Sequence, residues 1–230
     1  RDVAPSRGLG DVYKRQDETR LATLLSPFIS LDGINEKGVS IAVLTLDSKP
    51  VRQQSGKPVI ATTLAIRLIL DRAASTEEAV TLFEKYDMFA SSGRDYHFYV
   101  TDSNGDGCVI EYDCNSDDRK LVVTKSPAVT NFFVMYKNFV KPYQKNGVYG
   151  HGRERYDKII NVLEKNNSYT KETAWEALVS ASQAPNPNDI TSNTQWSIVY
   201  DNTNLTADIS IRRDWNTVTK YSLKENKITE

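Results

Sequence analysis

The stretch Tyr96 to Tyr112, YHFYVTDSNGDGCVIEY, admits two incompatible folds, and the choice between them sets the class of the chain. Asp102-Ser103-Asn104-Gly105-Asp106-Gly107 matches the opening of an EF-hand calcium loop, and Asp113 falls at its twelfth place. Such a loop sits between two helices. The flanks here, YHFYV and CVIEY, are aromatic and β-branched, which is strand composition. Asp, Asn and Gly are also what a tight hairpin selects, because they tolerate positive φ. The stretch therefore reads as two antiparallel strands, Tyr96 to Thr101 and Cys108 to Tyr112, joined by a turn. A non-catalytic calcium-binding module built on Asp102 to Asp113 is the alternative.

Outward from this hairpin the pattern mixes strands and helices. Val39 to Leu46 (VSIAVLTL) is nearly continuously apolar, as a strand buried on both faces would be. Thr62 to Ala74 carries a helical apolar band, and Ser75 with Glu78 supplies a capping box that opens a second helix through Tyr86. A third strand follows at Leu121 to Thr124, then an apolar segment at Ala128 to Val134. Helices are expected over Arg153 to Glu164 and Thr170 to Ser182, with Pro185 and Pro187 marking a loop. Three strands close the chain: Trp196 to Tyr200, Leu205 to Ile211 and Val218 to Tyr221. Strands, then helices, then strands again describe one α+β domain with a mostly antiparallel sheet.

Bulk properties narrow the function. With 230 residues, 39% hydrophobic and 26% charged, the chain has the composition of a globular protein with a sizeable core. A net charge of -1 gives no electrostatic case for nucleic acid. The longest apolar stretches fall well short of the ~20 residues that span a bilayer. Cys108 and Cys114 would lie ~20 Å apart along a continuing strand, too far for a disulfide. They read as free structural thiols. No Cys/His cluster has zinc spacing, so no metal or cofactor is expected. There is no nucleophile elbow, phosphate loop or dinucleotide fingerprint, and neither His97 nor His151 has a Ser or Cys partner in sequence.

Six segments, in order, resemble the choloylglycine hydrolase and penicillin V acylase family, which includes N-acylethanolamine acid amidases. Asp32-Gly33-Ile34-Asn35-Glu36-Lys37-Gly38-Val39 is similar to its D-G-M-N-E-K-G-L signature. Thr62 to Ala79 resembles its helix pair, and Tyr96 to Tyr112 its "yh..i.D..G...viEy" hairpin. Ala128 to Phe132 resembles its "v.TN" segment, Arg155-Tyr156 the Arg-aromatic pair opening a late helix, and Thr194 to Tyr200 its "T.wsvvYd" strand. The resemblance covers Asp17 to Tyr221.

It implies a four-layer αββα sandwich of N-terminal nucleophile hydrolase type and a cysteine that attacks an acyl amide. The α-amino group, titrating at about 7.7–8, serves as base, so no histidine is needed. By the same resemblance Asn131 donates to the tetrahedral oxyanion, and Arg155 is the fixed cation near the nucleophile, with Arg153 as the fallback. Thr45 stands where bile-salt hydrolases carry a second oxyanion asparagine and penicillin V acylases a tyrosine, which argues against a specifically bile-salt site. Asn35 to Gly38 reads as a structural turn. The partner implied is a small-molecule acyl amide: a conjugated bile acid, an N-acyl amine or a phenoxyacetyl β-lactam. An acyltransferase of the same fold is the nearest variant, and a homo-oligomer is the assembly the family implies.

The first sixteen residues fit none of this. Ser6 to Gln16 (SRGLGDVYKRQ) resembles the in-frame translation of a transposase-type sequencing adaptor, whose mosaic end reads Asp-Val-Tyr-Lys-Arg-Gln. A basic, Gly-containing arm is the alternative reading. If residues 1–16 are such a leader, residues 17–230 are the C-terminal portion of a single domain, incomplete at its N-terminal side. The family's nucleophilic cysteine, with the arginine and aspartate that follow it, then belongs before Asp17. The polypeptide is expected to be inactive and prone to aggregate through exposed edges.

Overall fold

The computed structural model describes residues 29–229 except 91, 146, 167 and 189–192, so the expected leader at 1–16 lies outside the described residues. Elements in order are β1 (Asp32–Ile34), β2 (Ser40–Leu46), β3 (Val59–Ala61), α1 (Thr62–Arg72), α2 (Thr76–Glu84), β4 (Asp87–Phe89), β5 (Asp95–Thr101), β6 (Gly107–Tyr112) and β7 (Leu121–Thr124). A 3-10 segment (Val134–Phe139) precedes α3 (Arg153–Lys165), α4 (Lys171–Ala181), β8 (Trp196–Asp201), β9 (Thr206–Ile211), β10 (Thr219–Ser222) and β11 (Lys227–Thr229). The five-stranded sheet runs β1-β2-β5-β6-β7 and the four-stranded sheet β11-β10-β9-β8, both antiparallel. Strands β3 and β4 form a separate parallel pair.

Side-chain alternation divides the five-stranded sheet. Val39, Ile41, Phe98, Val100, Cys108, Ile110 and Tyr112 face α1 and α2, packing on Ile66, Ile69, Ala79 and Phe83 as the main core. Each fully buried large apolar side chain in such a core contributes about 1.5–3 kcal/mol. The opposite face carries Asp32, whose carboxylate accepts from Trp196 Nε1 (3.1 Å) and Tyr200 Oη (2.7 Å) of β8. Burial, the neighbouring charge and the hydrogen bond to Asp32 all push the Tyr200 phenol up. Asn202 Nδ2 adds a bond to Thr101 Oγ1 (2.9 Å). A smaller core on this face joins Val109 to Phe132 and Tyr156, and α4 seats on the second sheet through Lys171–Asp208 (3.0 Å). The layers are helices, sheet, sheet, helices.

The turn before β2 behaves as the signature segment suggests. Asn35 Oδ1 accepts from the Lys37 and Val39 amides, and its Nδ2 reaches Ala73 O (2.7 Å). Gly38 takes φ +76, and a Cβ there would stand 2.3 Å from Asn202 O, so this turn also sets the spacing between sheets. Ser75 caps α2 by accepting from the Glu78 amide (3.1 Å), while Glu78 returns to the Ala74 amide. The hairpin expected at 96–112 is present with strands on both sides of the turn. The structure departs from the sequence expectation at several elements, the short strands β1, β3 and β4 among them. Leu205 adopts φ +61, so β9 begins one residue later, and a fourth closing strand, β11, extends the second sheet.

Candidate active site

At one end of the five-stranded sheet β2 terminates, β5 begins and β6 runs out, and the segment from Ser126 to Arg155 folds over that end. Asn131 occupies the junction. Its Nδ2 donates to the Thr45 carbonyl (2.9 Å) and lies 3.3 Å from Thr45 Oγ1. Its Oδ1 accepts from Arg155 Nη2 (3.0 Å), and its own carbonyl accepts from the His151 amide (2.9 Å). Thr45, Asn131 and Arg155, three positions singled out on sequence resemblance, are thus joined in one chain of contacts. The Arg155 side chain is only 14% exposed, and burial lowers its pKa, opposed by Glu154 at 3.9 Å. Arg153, the fallback, does other work. It bonds Asp157 (2.7 Å) and the Lys137 carbonyl (2.8 Å), tying α3 to the 3-10 segment.

Two glycines make this packing possible. Gly150 has φ +100 and forms an isolated bridge with Phe132, where a Cβ would sit 2.2 Å from Asn131 O. Gly152 has φ +85, and its carbonyl accepts from Thr130 Oγ1 (2.9 Å). The Phe133 amide donates to Tyr149 O (2.9 Å), and Phe132 packs edge-on against Tyr156. The Asn131 amide is therefore held from several sides.

Sequence spacing missed both histidine partners. His151 Nδ1 lies 2.7 Å from Asp47 Oδ2, a contact across 104 positions on the exposed side of the site. His97 Nδ1 lies 3.0 Å from Glu111 Oε1, both side chains fully buried. That pair was implicit in the hairpin, since Phe98 opposite Ile110 sets His97 opposite Glu111. The calcium alternative finds strands where helices are required. Asp102 Oδ2 is occupied by Thr76 N and Oγ1, and its Oδ1 accepts from Asn104 N. Among the described residues no three His, Cys, Asp or Glu gather in metal-binding geometry. Cys108 and Cys114 are free, and burial pushes both thiols up, away from nucleophilic thiolates.

The family model described as acyl-coenzyme A:6-aminopenicillanic acid acyl-transferase matches residues 16–215. The chain belongs to this family. The fold agrees with solved structures to which the family member is similar. An arginine-to-leucine variant of conjugated bile acid hydrolase from Clostridium perfringens superposes with TM-score 0.66 at 16% identity, covering 87% of this chain and 76% of that one. A cysteine-to-alanine mutant of the same hydrolase gives 0.65 at 16%, with the same coverage. Penicillin V acylase from Agrobacterium tumefaciens gives 0.66 at 17%, covering 86% and 68%. A search of curated proteins found no significant match. The resemblance drawn from six segments and the αββα N-terminal nucleophile hydrolase fold are borne out. No helix among the described residues is long and apolar enough to cross a membrane.

Proposed function

We propose that this chain supplies the oxyanion-binding part of a cysteine N-terminal nucleophile hydrolase acting on a non-peptide linear amide. The observation that carries this reading is the contact chain from Thr45 through Asn131 to Arg155. In the proposed reaction a thiolate attacks the acyl carbonyl, and the oxyanion takes a hydrogen bond from Asn131 Nδ2. Collapse breaks the C–N bond, the α-ammonium group returns its proton to the departing amine, and water hydrolyses the thioester. Arg155, a buried cation, favours the thiolate. Removing one oxyanion donor costs about 10²–10³ in rate in comparable sites. The family description supports a second reading, in which the thioester passes its acyl group to an amine instead of water.

The nucleophile in this reading is neither Cys108, which lies within β6, nor Cys114, two residues beyond its end, because neither stands at a chain terminus. The 230-residue polypeptide is then expected to turn over neither penicillin V nor a conjugated bile acid. Turnover of either refutes that assignment of the nucleophile. The site itself is tested by binding. Phenoxyacetate, the acid released from penicillin V, is expected to bind and shift the Asn131 side-chain amide signals in NMR, and Asn131→Ala should end binding. Unchanged affinity in a folded Asn131→Ala variant sinks the assignment.

A further inference from the structure

We propose that Glu111, held by His97, is a positioning residue that sets where Asn131 presents its donor; the inference rests on the reading of Asn131 given above. Both side chains lie on the sheet face turned away from α1 and α2, directly opposite each other across β5 and β6. The Glu111 carboxylate is surrounded by donors. Oε1 accepts from Val134 N (2.7 Å) and His97 Nδ1 (3.0 Å), and Oε2 from Met135 N (2.9 Å). Those two amides open the 3-10 segment, whose preceding residue, Phe133, makes no side-chain cap. Glu111 thus caps the segment from a neighbouring strand. Val134, the first residue it holds, is separated from Asn131 only by Phe132 and Phe133, both with zero exposure, so the tether between carboxylate and oxyanion donor has little slack.

The chemistry of the site demands a carboxylate. All three partners are N–H groups, whereas a glutamine turns its own amide N–H toward one of them. His97 serves the same end. With Nδ1 on Glu111, its buried Nε2 has no hydrogen-bond partner among the described residues, where the ring's one polar contact is with the carboxylate. Asn131 is in this way fixed from three directions: β2 through Thr45 O, α3 through Arg155, and the sheet interior through Glu111.

The test uses phenoxyacetate affinity, read from the ligand's own NMR signals so that Asn131→Ala is measured alongside, with unfolding midpoint and amide exchange measured on the same proteins. Glu111→Gln is expected to weaken binding about tenfold, the share of one hydrogen bond, while unfolding stays cooperative. His97→Leu, which removes the donor, should weaken it similarly. His97→Asn, whose Nδ2 can replace Nδ1, should restore affinity to near wild type, a rescue that general loss of stability does not produce. If folded Glu111→Gln and His97→Leu bind as wild type does while Asn131→Ala does not, the positioning role is overturned and the oxyanion assignment stands. If wild type fails to bind, the oxyanion assignment falls and exchange decides the positioning claim. Faster exchange confined to residues 131–136 in Glu111→Gln supports it; unchanged exchange there refutes it.

Discussion

Replacing Gly150 with alanine tests whether the Asn131 loop is as closely fitted as its geometry implies. Gly150 has φ +100, which an L-residue reaches only at a cost of about 1–2 kcal/mol. The added Cβ would also lie 2.2 Å from Asn131 O and 2.6 Å from Phe132 Cα, both backbone atoms that cannot swing aside. Relieving such an overlap in a packed region costs about 1–3 kcal/mol more. Gly105 is the control. It has φ +83 but nothing among the described residues within 4 Å of its Cβ, so Gly105→Ala carries the backbone strain alone. Urea unfolding of both variants is expected to show Gly150→Ala less stable than Gly105→Ala by about 1–3 kcal/mol, a further fall in Tm of roughly 2–12 °C at this chain length. The extra loss should come with altered Asn131 and His151 amide signals, because His151 N donates to Asn131 O. Equal stability of the two variants would falsify the close fit of this loop.

Three other measurements follow from the same geometry. Asp87 accepts from Ser55 Oγ (2.6 Å) and from the Ser55, Gly56 and Lys57 amides, and the Ser55 hydroxyl leads in holding its carboxyl below the usual range. A depressed folded pKa stabilises above the unfolded value of about 3.9 and is lost as pH falls through the folded value. The deficit of Asp87→Asn should therefore be full near neutrality and shrink below about pH 4, as followed by urea midpoints across pH. Asp32→Ala removes the acceptor of Tyr200 Oη and Trp196 Nε1, with an expected loss of about 1.5–3 kcal/mol and a change in tryptophan emission. Ser75→Ala removes the α2 cap, and thermal unfolding should report a loss of about 1 kcal/mol.

What the sequence made legible follows physical range. The 96–112 hairpin could be read because turn chemistry and alternation are local, and its register carried the His97–Glu111 pair unnoticed. Thr45, Asn131 and Arg155 came from resemblance, since nothing in their spacing brings contacts across 86 and 24 positions together. The Asp47–His151 contact had neither signal. Strands β3 and β4 were invisible for another reason. At three residues each they are too short for periodicity, and Val59 is largely exposed. The apolar run 128–134 illustrates the same limit. Its amides at Phe133 and Val134 bond Tyr149 O and Glu111, partners that no local pattern announces.

The shortest contact from Asn131 Nδ2 to residue 45 is to a main-chain carbonyl. A carbonyl oxygen is present whatever side chain the position bears. Position 45 can therefore change identity across relatives, or in a saturation library, without loosening Asn131 from β2. In the proposed site the side chain at 45 is then free to vary while Asn131 stays held by main chain. Under the proposed function, a search for altered acyl selectivity begins at Thr45.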